Sequence, residues 1–386
     1  MNELSLRHAR FLRDRNPATP CLTIDLDVVA ARYHALRAVL PQAAQIHYAV
    51  KANPHPAIIA TLVALGAHFD AASPAEIALC LDQGAPPETV SYGNTVKRTG
   101  DITYAHERGI DLYAFDAEAE LRKIAAAAPG AGVYCRLLVD GDDSALWPLS
   151  NKFGCTDAMA IELLTLAADL GLRPLGVSWH VGSQQQDPSR WENPISRAAA
   201  VFEELSARGL SPSLINLGGG FPADYSRHVP GIHQYGKVIN TALAEAFGGR
   251  NQHQIMAEPG RYLVADAGVL RSRVVLVSTK GTADGRRWIY LDVGRFSGLA
   301  ETEGEAIVYP LATAYDDTEH IGPAVLAGPT CDSVDVLYER TRRHLPMQLS
   351  EGDYVDFLCA GAYTAPYTSQ FNGFAPLRCH SFKDAE

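Results

Sequence analysis

The sequence predicts an α/β protein: a (β/α)8 TIM-like barrel joined to a second, mostly antiparallel β domain. Three observations predict it. Strand-like ends recur eight times with helix-like segments between them, from His47-Lys51 to Ile255-Glu258. The first of these ends delivers Lys51 at the C-terminal end of its strand, so that the amine would point toward the barrel mouth, where such folds keep their chemistry. After Glu258 the rhythm changes to strands joined by polar, Gly-containing turns, with no long helical pattern between them.

The elements follow in order. Met1 to Pro17 is charged and lacks the apolar core of a signal peptide. Cys21–Leu26 reads as a strand and Val28–Leu40 as an amphipathic helix. That strand precedes the barrel and is expected to join the second domain's sheet, which places both chain ends in one domain. The first barrel unit is Tyr48-Ala49-Val50-Lys51-Ala52-Asn53-Pro54, a strand that delivers a lysine at its end and then turns into an alanine-rich helix. Further strand ends lie at His68–Ser73, Val90–Asn94, Leu112–Asp116, Val133–Val139, Gly176–Gly182, Leu214–Gly218 and Ile255–Glu258. Helices are expected at Pro56–Leu65, Pro74–Gln83, Asp101–Arg108, Ala117–Ala127, Asp157–Leu170, Pro194–Arg208 and Gln234–Phe247. Parallel strands need crossovers and helices to cover the sheet, so this alternation closes as a barrel, with a doubly wound open sheet as the rival. The second domain is expected to hold strands at Leu270–Ser278, Trp288–Asp292, Ala306–Leu311, Ala324–Ala327 and Tyr354–Cys359. The expected boundaries are 28–265 for the barrel, with 1–27 and 266–386 forming the second domain.

Composition narrows the partners. A chain of 386 residues, 47% hydrophobic, can bury a large core, and its net charge of -11 argues against nucleic acid or anionic membrane. The longest apolar run, Ala57 to Ala67, is too short to span a bilayer. Seven cysteines with no CxxC pair point to reduced thiols and a cytoplasmic protein. No metal site is expected.

The candidate chemistry sits at the strand ends. The run Leu217-Gly218-Gly219-Gly220-Phe221 follows the seventh strand, and Glu258-Pro259-Gly260-Arg261-Tyr262 follows the eighth. Barrels often bind phosphate in those two loops, because glycines let backbone N–H groups approach anionic oxygens and an arginine adds charge-assisted bonds. A lone triple glycine is more often a tight turn; two suitable loops at neighbouring strands carry more weight. Lys51 facing the same mouth adds an amine, and amine plus phosphate site suggests pyridoxal phosphate held as a Schiff base. Such a ring needs an acid near its nitrogen, for which Glu258 is placed, and a flat partner, for which His180 ends the sixth strand. The plainer alternatives are an N-cap for Glu258 and a structural histidine.

At this point the chain resembles a known family, the alanine-racemase-like, fold-type III pyridoxal phosphate decarboxylases, and among them the bacterial ornithine decarboxylases. The resemblance rests on YAVKANP (48–54), FDAASPAEI (69–77), YGNTVK (92–97), HVGSQ (180–184), NLGGGFP (216–222), EPGRY (258–262), GPTCDSVD (328–335) and GAYTAPYTSQFNGF (361–374). These span most of the chain in the family's order. The resemblance implies that Lys51 carries the cofactor, Glu258 faces its ring nitrogen and His180 stacks on the ring. Asp70, Glu76 and Arg136 support it, and Ser183, Gly218, Gly219, Gly220, Gly260, Arg261, Tyr262 and Tyr363 form the rest of the cofactor site. It further implies a homodimer with composite sites, in which Cys331 donates a proton, Asp332 meets the substrate's distal amine and Phe371 lines the pocket. Lys152 and Asp335 match positions that pair across that interface. Two departures stand out. Trp179 occupies a position where Phe is expected, and the second domain lacks the Tyr-Asp-His segment of eukaryotic members, which leaves Glu301 or another acid in its place.

The expected activity is decarboxylation of a basic L-amino acid, ornithine to putrescine, in polyamine biosynthesis. Lysine differs by one methylene, a discrimination of about 1–3 kcal/mol. Diaminopimelate fits less well, because its distal carboxylate would want cations where Asp332 sits. The non-enzymatic alternative is an inactive regulator of a decarboxylase.

Overall fold

Eight parallel strands close on themselves in the order Leu214–Asn216, Gln254–Ala257, Gln45–Ala49, His68–Ala71, Val90–Tyr92, Leu112–Phe115, Gly132–Arg136 and Arg173–Ser178. The computed structural model describes residues 3–139, 145–147, 152–225, 229–248, 253–281 and 285–383. In chain order the helices are α1 Glu3–Arg15, α2 Leu26–Val39, α3 Pro56–Ala64, α4 Pro74–Asp82, α5 Thr99–Glu107, α6 Glu118–Ala127, α7 Asp157–Asp169, α8 Glu192–Ala207, α9 Ile232–Phe247 and α10 Arg261–Val264. The strands up to the end of the barrel are β1 Cys21–Asp25, β2 Gln45–Ala49, β3 His68–Ala71, β4 Val90–Tyr92, β5 Leu112–Phe115, β6 Gly132–Arg136, β7 Ala145–Trp147, β8 Arg173–Ser178, β9 Ser183–Gln185, β10 Leu214–Asn216 and β11 Gln254–Ala257. Those that follow are β12 Gly268–Thr279, β13 Arg287–Leu291, β14 Leu311–Thr313, β15 Ile321–Ala327, β16 Val336–Pro346, β17 Tyr354–Phe357 and β18 Arg378–Phe382.

The chain divides into two compact units. One comprises Ala30–Pro222 and Val229–Leu263 and holds the barrel; the other comprises Met1–Val29, Ala223–His228 and Val264–Glu386. In the barrel unit the local sequence punctuates each helix. Ser73 caps α4 by accepting from the Glu76 N–H, Thr156 caps α7 by accepting from the Met159 N–H, and Pro56 and Pro74 open their helices at the first turn, where a missing N–H costs nothing. The strands are short and buried; Ile46, Phe69, Val90, Tyr113, Val133, Val177 and Ile215 are at most 2% exposed. Register matters for function because side chains alternate along a strand. Ala49 pairs with Asp70, and Asn216 pairs with both Ser178 and Met256, which lines up the ends that carry polar groups. A small antiparallel pair of β7 and β9 stands apart from the barrel sheet.

The second unit is an eight-stranded sheet with the path β14-β17-β12-β13-β15-β16, to which β1 and β18 attach through β12. It is mostly antiparallel, with parallel pairs at β13·β15 and β1·β18. As expected, β1 joins this sheet, pairing Cys21 with Arg271 and with Arg378. The expected strand Ala306–Leu311 is corrected: the strand is Leu311–Thr313, preceded by a 3-10 segment over Ala300–Glu305. Helix α1 and strands β16 and β18 were not anticipated. Helix α1 reads as a charged tail, yet its Leu12 is buried with Cys21 and Val269. Strand β16, VLYERTRRHLP, carries Glu339, Arg340, Arg342 and Arg343, which mask its period-two pattern. No described helix is long and apolar enough to cross a membrane.

Candidate active site

The barrel-borne candidates lie at the C-terminal ends of the strands or in the segments that directly follow them. Lys51 follows β2 in a single 3-10 turn, Val50–Ala52, closed by the Asn53 N–H donating to the Val50 carbonyl at 3.1 Å. The Tyr48 phenol braces that turn by donating to the Asn53 carbonyl at 2.9 Å. The Ala49 N–H donates to the Pro259 carbonyl at 3.0 Å, tying the lysine's strand to the loop of Glu258. The Lys51 side chain is half exposed, and its Nζ lies 3.3 Å from Oδ2 of Asp70.

Asp70 is buried at 4% exposure, and its Oδ1 has no hydrogen-bond partner among the described residues. A Cβ on Gly93 would sit 1.8 Å from that oxygen, so Gly93 is the residue that makes room for Asp70. Sequence reasoning missed it. Glu76 spends Oε2 on the Ala72 N–H at 2.7 Å, so it closes the entry to α4, and burial raises its pKa.

Glu258 sits at the end of β11. Burial pushes its pKa up to about 7, and Asp70 adds to the rise; Asn216, Lys51 and Arg136 oppose it. Its Oε1 accepts from the Asn216 Nδ2 at 2.6 Å, and the Asn216 Oδ1 accepts from the Gly218 N–H at 2.9 Å. One fully buried amide thus fixes both the acid and the start of the glycine turn. Asn216 opens the NLGGGFP stretch, and its signal in the sequence is an amide two residues before a glycine run. Arg136 stacks over Phe153 with its guanidinium 5.0 Å from the ring centroid; burial lowers its pKa while Glu258, Asp116 and Asp70 counteract.

His180 is neutral here. Burial, together with Arg136 and Lys51, lowers its pKa to about 3, and its Nδ1 accepts the Gly182 N–H at 2.9 Å, which leaves the other nitrogen to carry the proton. Gly219 packs against it: a Cβ there would lie 3.3 Å from Nε2 and 2.7 Å from the Glu258 carbonyl. Gly218, at φ +67, would drive a Cβ to 1.8 Å from the Trp179 carbonyl, and Gly220, at φ +108, to 2.6 Å from the Gly182 carbonyl. Glycine is required at all three positions. The Trp191 indole supports the turn from behind, donating to the Leu217 carbonyl at 3.1 Å. The Arg261 Nη2 donates to Ser183 Oγ at 3.1 Å, which brings the loops after β8 and β11 together, and Gly260 accepts from the Leu263 N–H at the start of α10. Tyr262 faces Arg32 instead, whose guanidinium lies 5.5 Å from the ring centroid.

The remaining candidates lie in the sheet unit. Cys331 is exposed, and its N–H donates to Asn372 Oδ1 at 2.9 Å, which draws the Cys331 loop to the Phe371 segment. The Asp332 Oδ1 accepts the Val334 N–H at 3.0 Å. Phe371 is 41% exposed and packs on Phe296 at 4.7 Å between centroids. Glu301 is buried in the 3-10 segment, and Tyr363 holds a φ of 54° with its ring beside Tyr367. Asp335 is buried and ties its own unit together, accepting from the Arg295 N–H, the Thr330 N–H and the Thr330 hydroxyl. Lys152 lies with Nζ 4.8 Å from the Phe153 centroid. Among the described residues no cluster of three or more His, Cys, Asp or Glu is arranged to hold a metal.

The barrel mouth fits a phosphorylated pyridine aldehyde. The amides of Gly219 and Gly220 donate to no described residue, and the cradle around them admits no Cβ. An unsatisfied buried carboxylate oxygen, a neutral imidazole and an acid of raised pKa complete a donor set suited to such a ring. Comparisons agree. Residues 26–265 match the pyridoxal-binding domain of the pyridoxal-dependent decarboxylases. The lysine/ornithine decarboxylase of Selenomonas ruminantium is 33% identical over 96% of this chain and 91% of its own length. Antizyme inhibitor 2 of Xenopus laevis is 35% identical over 92% of this chain and 78% of its own. The crystal structure of a Vibrio vulnificus lysine/ornithine decarboxylase with putrescine superposes with a TM-score of 0.86 at 32% identity, covering 98% of both chains. The chain belongs to the fold-type III, pyridoxal phosphate-dependent decarboxylases of basic amino acids.

Proposed function

We propose that the protein decarboxylates L-ornithine to putrescine as a homodimer whose active sites combine the barrel of one subunit with the Cys331 loop of the other. The observation that carries the reading is the barrel mouth itself, where Lys51, Asp70, Glu258, Arg136 and His180 converge on one set of strand ends beside a glycine cradle.

Pyridoxal phosphate supplies an electron sink when bound. The residues of the chain do the rest. Gly219, Gly220, Ser183 and Arg261 bind the phosphate through N–H, hydroxyl and guanidinium donors. Lys51 would provide the amine that holds the cofactor's aldehyde carbon. Glu258 holds a proton at the ring nitrogen; its raised pKa matches it to a heteroaromatic base, so the proton is shared rather than surrendered. His180, neutral, would cover the ring's face without adding a charge that would repel that proton. Asp70 balances the charge of the Lys51 amine and orients it. Cys331 delivers a proton to the α-carbon after carbon dioxide leaves, and Asp332 beside it receives the distal ammonium, since a desolvated ammonium needs a paired charge. Phe371 lines the same pocket, and Glu301 is the candidate second acid.

The dimer is supported by the sheet unit's surface. Val334, Phe371 and Phe374 stand exposed in the two segments that Cys331 and Asn372 tie together, apolar side chains that a monomer would leave in water. The second reading, an inactive regulator, is favoured by one likeness, to antizyme inhibitor 2. Lys51 and Cys331 are both present in this chain, which favours an enzyme. The test is carbon dioxide release from ornithine, lysine, arginine, diaminobutyrate and diaminopimelate. Ornithine is expected to give the highest kcat/KM, with lysine next. A preference for lysine would replace the substrate assignment, and no release from any substrate by pyridoxal phosphate-loaded protein would favour the regulator.

A further inference from the structure

Below Glu258 the barrel interior is not the apolar layer that usually fills such folds. Inward positions of β2, β4 and β6 carry His47, Ser91 and Tyr134, each at most 2% exposed. The His47 Nδ1 lies 3.3 Å from Ser91 Oγ, and the Ser91 hydroxyl also reaches the Phe69 carbonyl at 3.2 Å. Ser91 stands beside the Tyr134 phenol, which donates to Glu258 Oε1 at 3.4 Å. The line therefore runs across three strands and ends on the acid at the mouth. The same layer holds ordinary apolar packing at Ala114, Leu214 and Met256. Polar side chains buried there cost folding free energy that Phe or Leu would not. The Nε2 of His47 even lacks a partner among the described residues, and burial keeps that ring neutral. Stability alone gives no reason for the line.

We infer that Tyr134 is a positioning residue for Glu258, with Ser91 and His47 packed behind it. With Asn216 it occupies Oε1; this leaves Oε2, which takes no hydrogen bond from any described residue, as the oxygen presented to the ring nitrogen. This rests on the reading of Glu258 given above. The charged and titratable groups that face Glu258 are Asp70 from β3, Lys51 beyond β2, and Arg136 and Tyr134 from β6. Of these, Tyr134 is the neutral donor, and a donor to the charged form lowers a carboxyl pKa.

The experiment reads the ionisation of Glu258 in cofactor-free protein, by carbon NMR of carboxyl-labelled glutamate, with Glu258→Gln assigning the signal. Tyr134→Phe is expected to move the midpoint upward by roughly half a pH unit or more. In the loaded enzyme kcat should fall about threefold to tenfold with KM nearly unchanged. Ser91→Ala should move the midpoint in the same direction by less, and add nothing in the Tyr134→Phe background, which a merely structural role would not produce. If Tyr134→Phe fails to fold, Ser91→Ala alone carries the test. An unmoved midpoint in the variant that folds would overturn the inference. Unchanged activity in Glu258→Gln would instead overturn the reading of Glu258 on which it rests, so the two failures are distinct.

Discussion

At the barrel mouth, each candidate side chain is fixed by its own chain: Glu258 by Asn216 and Tyr134, His180 by the Gly182 amide, Lys51 by Asp70, and Arg261 by Ser183. In the sheet unit Cys331 and Phe371 stand exposed, and their loops are tied to each other through Asn372. The first region has the shifted pKa values and steric restrictions of a preorganised site. The second has chemistry-bearing residues on a surface, with apolar neighbours and nothing yet to desolvate them. The contrast sets the test: on the proposed composite site, the exposed loop would be the part that a second copy of the chain completes.

The largest expected effect lies on the preorganised side. Lys51→Ala should lower kcat by more than about 10³-fold, since no other amine stands at that strand end. Borohydride treatment of loaded wild-type protein should fix the label on Lys51, as peptide mapping reads directly.

Next comes the exposed side. If Asp332 takes the distal ammonium, Asp332→Asn should leave cofactor binding intact and reduce kcat/KM for ornithine at a cost of about 3–5 kcal/mol, less where water screens the pocket. Norvaline, which lacks the distal amine, should be a poor substrate for both proteins and nearly indifferent to the change. Equal losses for the two substrates would assign Asp332 to Cys331 or to the fold.

Two glycine substitutions sharpen the difference between a built cradle and an ordinary turn. Gly84, at φ +88 with nothing within 4 Å of a Cβ, should tolerate alanine at about 1–2 kcal/mol, the conformational cost alone. Gly218→Ala adds a Cβ placed 1.8 Å from the Trp179 carbonyl and should cost clearly more, with lost cofactor affinity, measured by denaturant titration and cofactor fluorescence.

The smallest effect is a pH dependence with two opposed parts in cofactor-free protein. Glu258 has a folded pKa of about 7, raised from 4.5, so the folded state holds the extra proton and this contribution is lost as pH rises through that window. His180 has a folded pKa of about 3, lowered from 6.5, so its contribution is present above 6.5 and lost as pH falls. Between 4.5 and 6.5 the two nearly cancel. Glu258→Gln should therefore make stability climb with pH there, and His180→Asn should make it fall, by about 1–2 kcal/mol given the solvent at the mouth.

Much of the barrel was legible because eight strand ends and their helices repeat one local pattern, and because Lys51, His180, the glycine run and Glu258 sit at those ends. The rest was hidden for physical reasons. Strand β16 masks its alternation with four charged residues, and α1 buries Leu12 beneath a charged surface. Gly93, Asn216 and Tyr134 are defined by what they touch across strands, through a Cβ that must be absent or a single hydrogen bond, and neither leaves a periodic trace.

The central claim, that the rigid half-site and the exposed half-site come from different copies of the chain, is tested most directly by mixing. Lys51→Ala and Cys331→Ala proteins, each nearly inactive, should recover about a quarter of wild-type activity after subunit exchange, because half of a random mixture is heterodimer and one of its two sites is intact. No recovery after exchange verified by mass spectrometry would mean that each chain builds its whole site alone, and would contradict the account.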